Sequence, residues 1–78
     1  MKLPRGIPGT RVIRMLETLQ YNVIREKGSH VRLRHQGPPA HSITVPKHGS
    51  LKIGTLHSIL TEIAFMRSLT INELEKML

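Results

Sequence analysis

The 78-residue chain reads as a single α+β domain in the order α-β-β-β-α, followed by a short C-terminal helix. Three observations predict this class. Apolar residues recur at helical spacing early in the chain, at Val12, Ile13, Met15, Leu16 and Leu19. The same spacing returns in the last third, at Leu56, Ile59, Leu60 and Ile63. Between the two stripes lie three short segments, each bounded by turn residues, that read as strands. A chain of this size buries only about 60% of its unfolded surface, so one small core is expected and a partner would bind across a surface.

The elements follow in order. Residues 1–9 are interrupted by Pro4, Gly6, Pro8 and Gly9 and are expected to be a flexible lead without the apolar run of a secretion signal. Thr10 is placed to cap a first helix over 11–19. Residues 21–26 are expected as the first strand, Lys27-Gly28-Ser29 as its turn and 30–35 as the second strand. Gln36-Gly37-Pro38-Pro39-Ala40 reads as a loop and 42–45 as the third strand, stopped at Pro46, which has no N–H to give a ladder. A second helix starts near 52–55 and runs to about Arg67. Thr70-Ile71-Asn72-Glu73 has capping-box spacing and opens the C-terminal helix expected within 68–78, with Ile71, Leu74 and Leu78 turned inward.

Alternation along the strands assigns the faces of the sheet. Val31 and Leu33 of the second strand, with Ile43 and Val45 of the third, point toward the helices. His30, Arg32 and Arg34 point the other way, as do Ser42 and Thr44, onto a face that an antiparallel sheet can leave in water. The first strand alternates less cleanly, because Val23 and Ile24 are adjacent apolar residues.

Twelve Lys and Arg stand against five Glu, a formal net charge of +7. Residues 1–52 hold ten of the cations and two of the anions, whereas 53–78 hold two cations and three anions. A polyanion would therefore meet the first two-thirds of the chain, which points to nucleic acid. A membrane surface fits less well, since no strongly basic amphipathic helix is present and no stretch is long enough to span a bilayer. The absence of cysteine excludes disulfides and thiolate metal sites and fits a reducing cytoplasm. There is no aspartate, and four of the five glutamates fall on predicted helices. Two-metal phosphoryl chemistry needs clustered carboxylates; any nuclease activity here is expected to need no metal and no other cofactor.

The densest chemistry lies in Lys27-Gly28-Ser29-His30-Val31-Arg32-Leu33-Arg34. It sets one imidazole among cations at a turn-to-strand junction. Histidine, with an unperturbed pKa of about 6.5, exchanges protons near neutral pH, and the cations attract phosphate. RNA cleavage uses both. The 2′-hydroxyl loses a proton as it attacks phosphorus and the leaving 5′-oxygen gains one, while adjacent cations stabilise the phosphorane-like transition state. His30 is accordingly the candidate catalytic group, with Arg32 and Arg34 beside it and Arg25 and Lys27 as second choices for phosphate. DNA lacks the 2′-hydroxyl, so the chemistry would be restricted to RNA. The competing reading of His30 is a plain surface histidine beside a turn.

The other histidines carry weaker signals. His48 in Pro46-Lys47-His48-Gly49 is a candidate phosphate contact or second proton carrier near the start of the second helix. His35 is expected to be structural, His41 to sit at a loop edge and His57 to be exposed on a helix. A zinc site from His30, His35, His41 and His48 lacks convincing ligand spacing. Gly54-Thr55-Leu56 fits a plain helix start as well as a phosphate site. No serine-histidine-acid triad, P-loop or dinucleotide glycine pattern is present.

Three landmarks in this order, Lys27-Gly28-Ser29-His30, Ile43-Thr44-Val45-Pro46-Lys47-His48-Gly49 and Lys52-Ile53-Gly54-Thr55-Leu56-His57-Ser58-Ile59-Leu60, resemble the HicA (YcfA-like) mRNA interferase toxins of bacterial and archaeal toxin–antitoxin pairs. The resemblance covers about residues 10–65. It implies a double-stranded-RNA-binding-domain-like fold, with the helices on one face of the sheet, and cleavage of mRNA in the cytoplasm. It also implies a catalytic histidine in the Gly-Ser-His motif, here Gly28-Ser29-His30, and a HicB-type antitoxin that blocks the active site. The chain departs from the pattern at Gln20-Tyr21, where many relatives have glycine followed by an aromatic residue, and at Val31, where a histidine or polar residue often follows the motif. Two other classes of function fit the same charge: a non-catalytic RNA-binding module on this fold, which would leave RNA intact, and a protein-interaction domain for an acidic partner, which would bind RNA weakly even at low salt.

Overall fold

The computed structural model describes residues 3–78, so the first two residues of the expected flexible lead lie outside the described residues. Its elements are α1 (Gly9–Thr18), β1 (Asn22–Lys27), β2 (His30–His35), β3 (His41–Pro46), α2 (Ile53–Arg67) and α3 (Ile71–Met77). The strands form one antiparallel sheet in the order β1-β2-β3. This is the expected α-β-β-β-α order with its short C-terminal helix.

The period-two reading of β2 and β3 holds side chain by side chain. Val31, Leu33, Ile43 and Val45 are buried, whereas His30, Arg32, Arg34 and Thr44 are exposed. The buried set meets Val12, Met15 and Leu16 of α1, the four-residue stripe of α2 and Leu74 of α3. Each such aliphatic side chain contributes roughly 1.5–3 kcal/mol relative to leaving it in water. Packing of stripe on sheet therefore fixes the helices more firmly than their own propensity does. At α3 the capping box forms as expected: Glu73 N–H donates to Thr70 Oγ1 (3.1 Å) and Thr70 N–H to Glu73 Oε1 (2.9 Å).

The first helix departs from expectation at both ends. Thr10 is not its cap. The helix starts two residues earlier, at Gly9, with Pro8 in the N-cap position and no side-chain cap. The cause is a close approach: a Cβ on Gly9 would lie 1.7 Å from the carbonyl oxygen of Pro46, so the helix start is pressed onto the end of β3. Leu3 and Ile7, in the lead expected to be flexible, are buried, and Leu51 N–H donates to Ile7 O (2.8 Å). At the other end Gln20 adopts φ 75°, with Gln20 N–H bonded to Glu17 O (3.0 Å) and Tyr21 N–H to Leu16 O (2.9 Å). These two bonds close a helix on a left-handed residue. They also send Tyr21 into the core instead of into the first strand, which begins at Asn22.

Candidate functional site

The hairpin between β1 and β2 presents the imidazole singled out by the sequence. Gly28, at φ 58°, takes the first central position of a two-residue turn, a conformation that a side chain would oppose. The turn closes on the pair Lys27–His30, and β3 continues the same rung with Pro46 opposite His30. Lys47 N–H then donates to Ser29 O (2.6 Å), which ties the Pro46-Lys47-His48 loop to the turn.

Two further rungs lie below. Arg25 and Thr44 flank Arg32 in one; Asn22 and Ser42 flank Arg34 in the other. Arg25 and Lys27 reach this face because β1 carries an irregularity at Ile24: the register shifts between Val23 and Arg25. That shift explains the adjacent apolar pair that blurred the alternation of the first strand. Directly opposed residues share a face, so Arg25, Lys27, Arg32, Arg34 and His30 stand together on the side of the sheet that no helix covers. Arg32 Nη1 donates to Thr44 Oγ1 (3.0 Å) and Arg34 Nη1 to Ser42 Oγ (3.2 Å), so both guanidiniums lean toward β3. The sequence placed these hydroxyls on the open face but gave them no role; pairing of β2 with β3 supplies it.

Not every candidate joins this group. Lys47 Nζ is bound by Glu26 Oε2 (2.9 Å), and Glu26 opposes Val31, whose side chain points into the core. Lys47 therefore braces β1 to the loop after β3, away from the open face. His48 is exposed in that loop, two residues beyond the partner of His30. Among the described residues, the two side-chain ion pairs are Lys47–Glu26 and His41–Glu62, so the four open-face cations have no carboxylate partner.

A second polar cluster lies at the far end of β2, and the sequence reading missed its centre. His41 does not sit at a loop edge: it is buried as the first residue of β3, opposite His35. Its Nδ1 is 2.6 Å from Tyr21 Oη and its Nε2 is 2.6 Å from Glu62 Oε2. Burial pushes the Tyr21 phenol up, partly opposed by Arg67. The arrangement that leaves no proton unpaired has the phenol donating to Nδ1 and the ring donating its Nε2–H to Glu62. His35 Nδ1 accepts from Gly37 N–H (2.8 Å) and from the Arg67 guanidinium, which also holds Pro39 O and lies 5.8 Å from the Tyr21 ring centre. Desolvation first, and then the Arg67 charge, hold the His35 imidazole below its ordinary value. Extending the Ile43–Val45 alternation back by two residues would have placed His41 inside. Among the described residues, no group of three or more His, Cys, Asp or Glu is gathered to hold a metal ion. No helix of the described residues is long and apolar enough to cross a membrane.

A comparison with protein families matches residues 9–64 to the family described as HicA toxin of bacterial toxin–antitoxin. No curated protein and no solved structure matches the chain.

Proposed function

The chain belongs to the HicA toxin family of toxin–antitoxin systems, and on that premise we propose that it is a metal-independent endoribonuclease that cleaves mRNA, with His30 as the acid–base group. The observation that carries this reading is the open face itself: an exposed imidazole at a tight hairpin, four cations around it and no carboxylate partner among the described residues. His30 takes the proton from the attacking 2′-hydroxyl as the O2′–P bond forms. The P–O5′ bond breaks, and the leaving oxygen takes a proton from His48 or from water. A cyclic phosphate and a 5′-hydroxyl end result. Arg32 and Arg34, supported by Arg25 and Lys27, stabilise charge on the phosphoryl oxygens. Gly28 and Ser29 shape the turn that presents the imidazole. Lys47 steadies that turn through its backbone, and its charge adds to the attraction for RNA. The reading places the protein in the cytoplasm with a HicB-type antitoxin as its partner.

The test is cleavage of end-labelled single-stranded RNA in excess EDTA, comparing wild type with His30→Ala. His30 is exposed, so the variant is expected to fold and bind RNA but to lose cleavage. Equal cleavage by a folded His30→Ala protein would overturn the assignment. A shifted but uncut RNA with both proteins would favour the RNA-binding module.

A further inference from the structure

Resting on the reading of this face as an RNA site, we propose that the three rungs of the open face track three successive phosphates of an extended single strand, all on one side of the cleaved bond. The scissile phosphate sits at the Lys27–His30 rung, the next at Arg25–Arg32 and the third at Arg34. Thr44 and Ser42 act as positioning residues that aim the two guanidiniums.

Four features of the face support this. Same-face residues along a strand recur about every 6.8 Å, close to the separation of neighbouring phosphates along one strand, so successive rungs can meet successive phosphates. Arg25 stands directly opposite Arg32 in the register, and opposed like charges destabilise a sheet. A face that keeps such a pair with no carboxylate partner is suited to a chain of anions. The ladder is also one-sided: His30 is the first residue of β2, so the guanidiniums extend from it in one direction only, while the other direction meets the turn. Finally, beyond the His30 imidazole at its end, the face has no aromatic side chain for bases to stack on. Tyr21 is buried, and Phe65 is exposed on α2, within the helix layer. The strand is held by its phosphates, so its base sequence matters little at these rungs.

Two measurements test the proposal. The first uses a nine-nucleotide RNA, cut by the wild type at a mapped bond, with single neutral methylphosphonate linkages moved along either side of that bond. KM is expected to rise at the two linkages on one flank and to stay constant on the other; an equal response on both flanks, or on neither, would sink the proposal while leaving the nuclease reading intact. The second measures binding of an uncleavable all-2′-O-methyl version of this oligonucleotide by fluorescence anisotropy against salt. Three phosphates predict a slope of about −2 in log K against log salt; Arg34→Gln should reduce it by about 0.7, about fivefold weaker binding near 0.1 M salt, and Arg32→Gln by less, because Arg25 still faces the same phosphate. Slopes unchanged in both variants would also refute the track. Thr44→Val should raise KM without lowering kcat, and Thr44→Ser should restore it; a Thr44→Val protein with unaltered KM would remove the positioning role. If no RNA is cleaved at all, the nuclease reading fails and the anisotropy series alone decides the track.

Discussion

Replacing Gly9 by alanine tests how the helix layer is seated on the His30 end of the sheet. The added Cβ would meet Pro46 O at 1.7 Å, Pro46 C at 2.8 Å and the Lys47 Cα at 3.2 Å. All three are main-chain atoms, so no side chain can swing aside. Restoring even a 3.0 Å contact requires a displacement of at least 1.3 Å between α1 and the end of β3. Overpacking of this kind costs about 1–3 kcal/mol. The opposing helix-propensity gain is at most about 1 kcal/mol and smaller at a first helical position. A net loss of about 1–2 kcal/mol lowers Tm by about 4–16 °C for a domain of this size. Pro46 is the rung partner of His30 and Lys47 N–H bonds Ser29 O, so cleavage should fall as well. Thermal unfolding by circular dichroism reads the first effect, and initial cleavage rates at a temperature where the variant is folded read the second. Because the propensity gain alone would raise Tm, an unchanged or higher Tm for Gly9→Ala would refute the seating of α1 on Pro46.

Three other outcomes follow from the packing. Tyr21→Phe strips the buried His41 Nδ1 of its partner and should cost about 1–3 kcal/mol in denaturant titration, while cleavage rates stay near wild type because His30 lies at the other end of β2. Gln20→Gly removes a left-handed penalty of about 1–2 kcal/mol, partly offset by glycine's backbone entropy of about 0.5–1 kcal/mol; Tm should rise by a few degrees, and a fall would contradict the φ of 75°. His35 is held below its ordinary value of 6.5, so the folded chain binds fewer protons there than the unfolded chain does. Its contribution is complete above pH 6.5 and is lost as pH falls through the folded value; melting curves from about pH 7.5 to about pH 5 should show a steeper loss for wild type than for His35→Gln.

Much of this was legible because it depends on local period. The stripe of α2, the faces of β2 and β3 and the Thr70 capping box each rest on residues a few positions apart. The features that escaped depend on residues far apart in sequence. Gly9 starts the helix early because Pro46 lies against it. Lys47 turns away from the open face because Glu26 binds it from another strand. His41 finds Tyr21 and Glu62, respectively 20 and 21 residues away, and a local reading offers no reason to join them. Position 20 was legible as a departure from the family pattern, yet only the backbone shows why glycine suits it.

The irregularity at Ile24 bears on how this chain tolerates changes in length. β1 is fixed at both ends, by Tyr21 in the core and by the Lys27–His30 pair at the turn. Val23 pairs with Leu33 and Arg25 with Arg32, so Ile24 is the residue that the pairing skips. The strand thus contains one residue more than its two anchors span. A chain lacking that residue would keep both anchors and present the same row of charges, whereas moving the shift elsewhere along β1 would exchange which side chains stand on the charged face and which on the opposite one. Slack at one point of an outer strand thus lets the start of the hairpin vary in length while the parity of its His30 end is preserved.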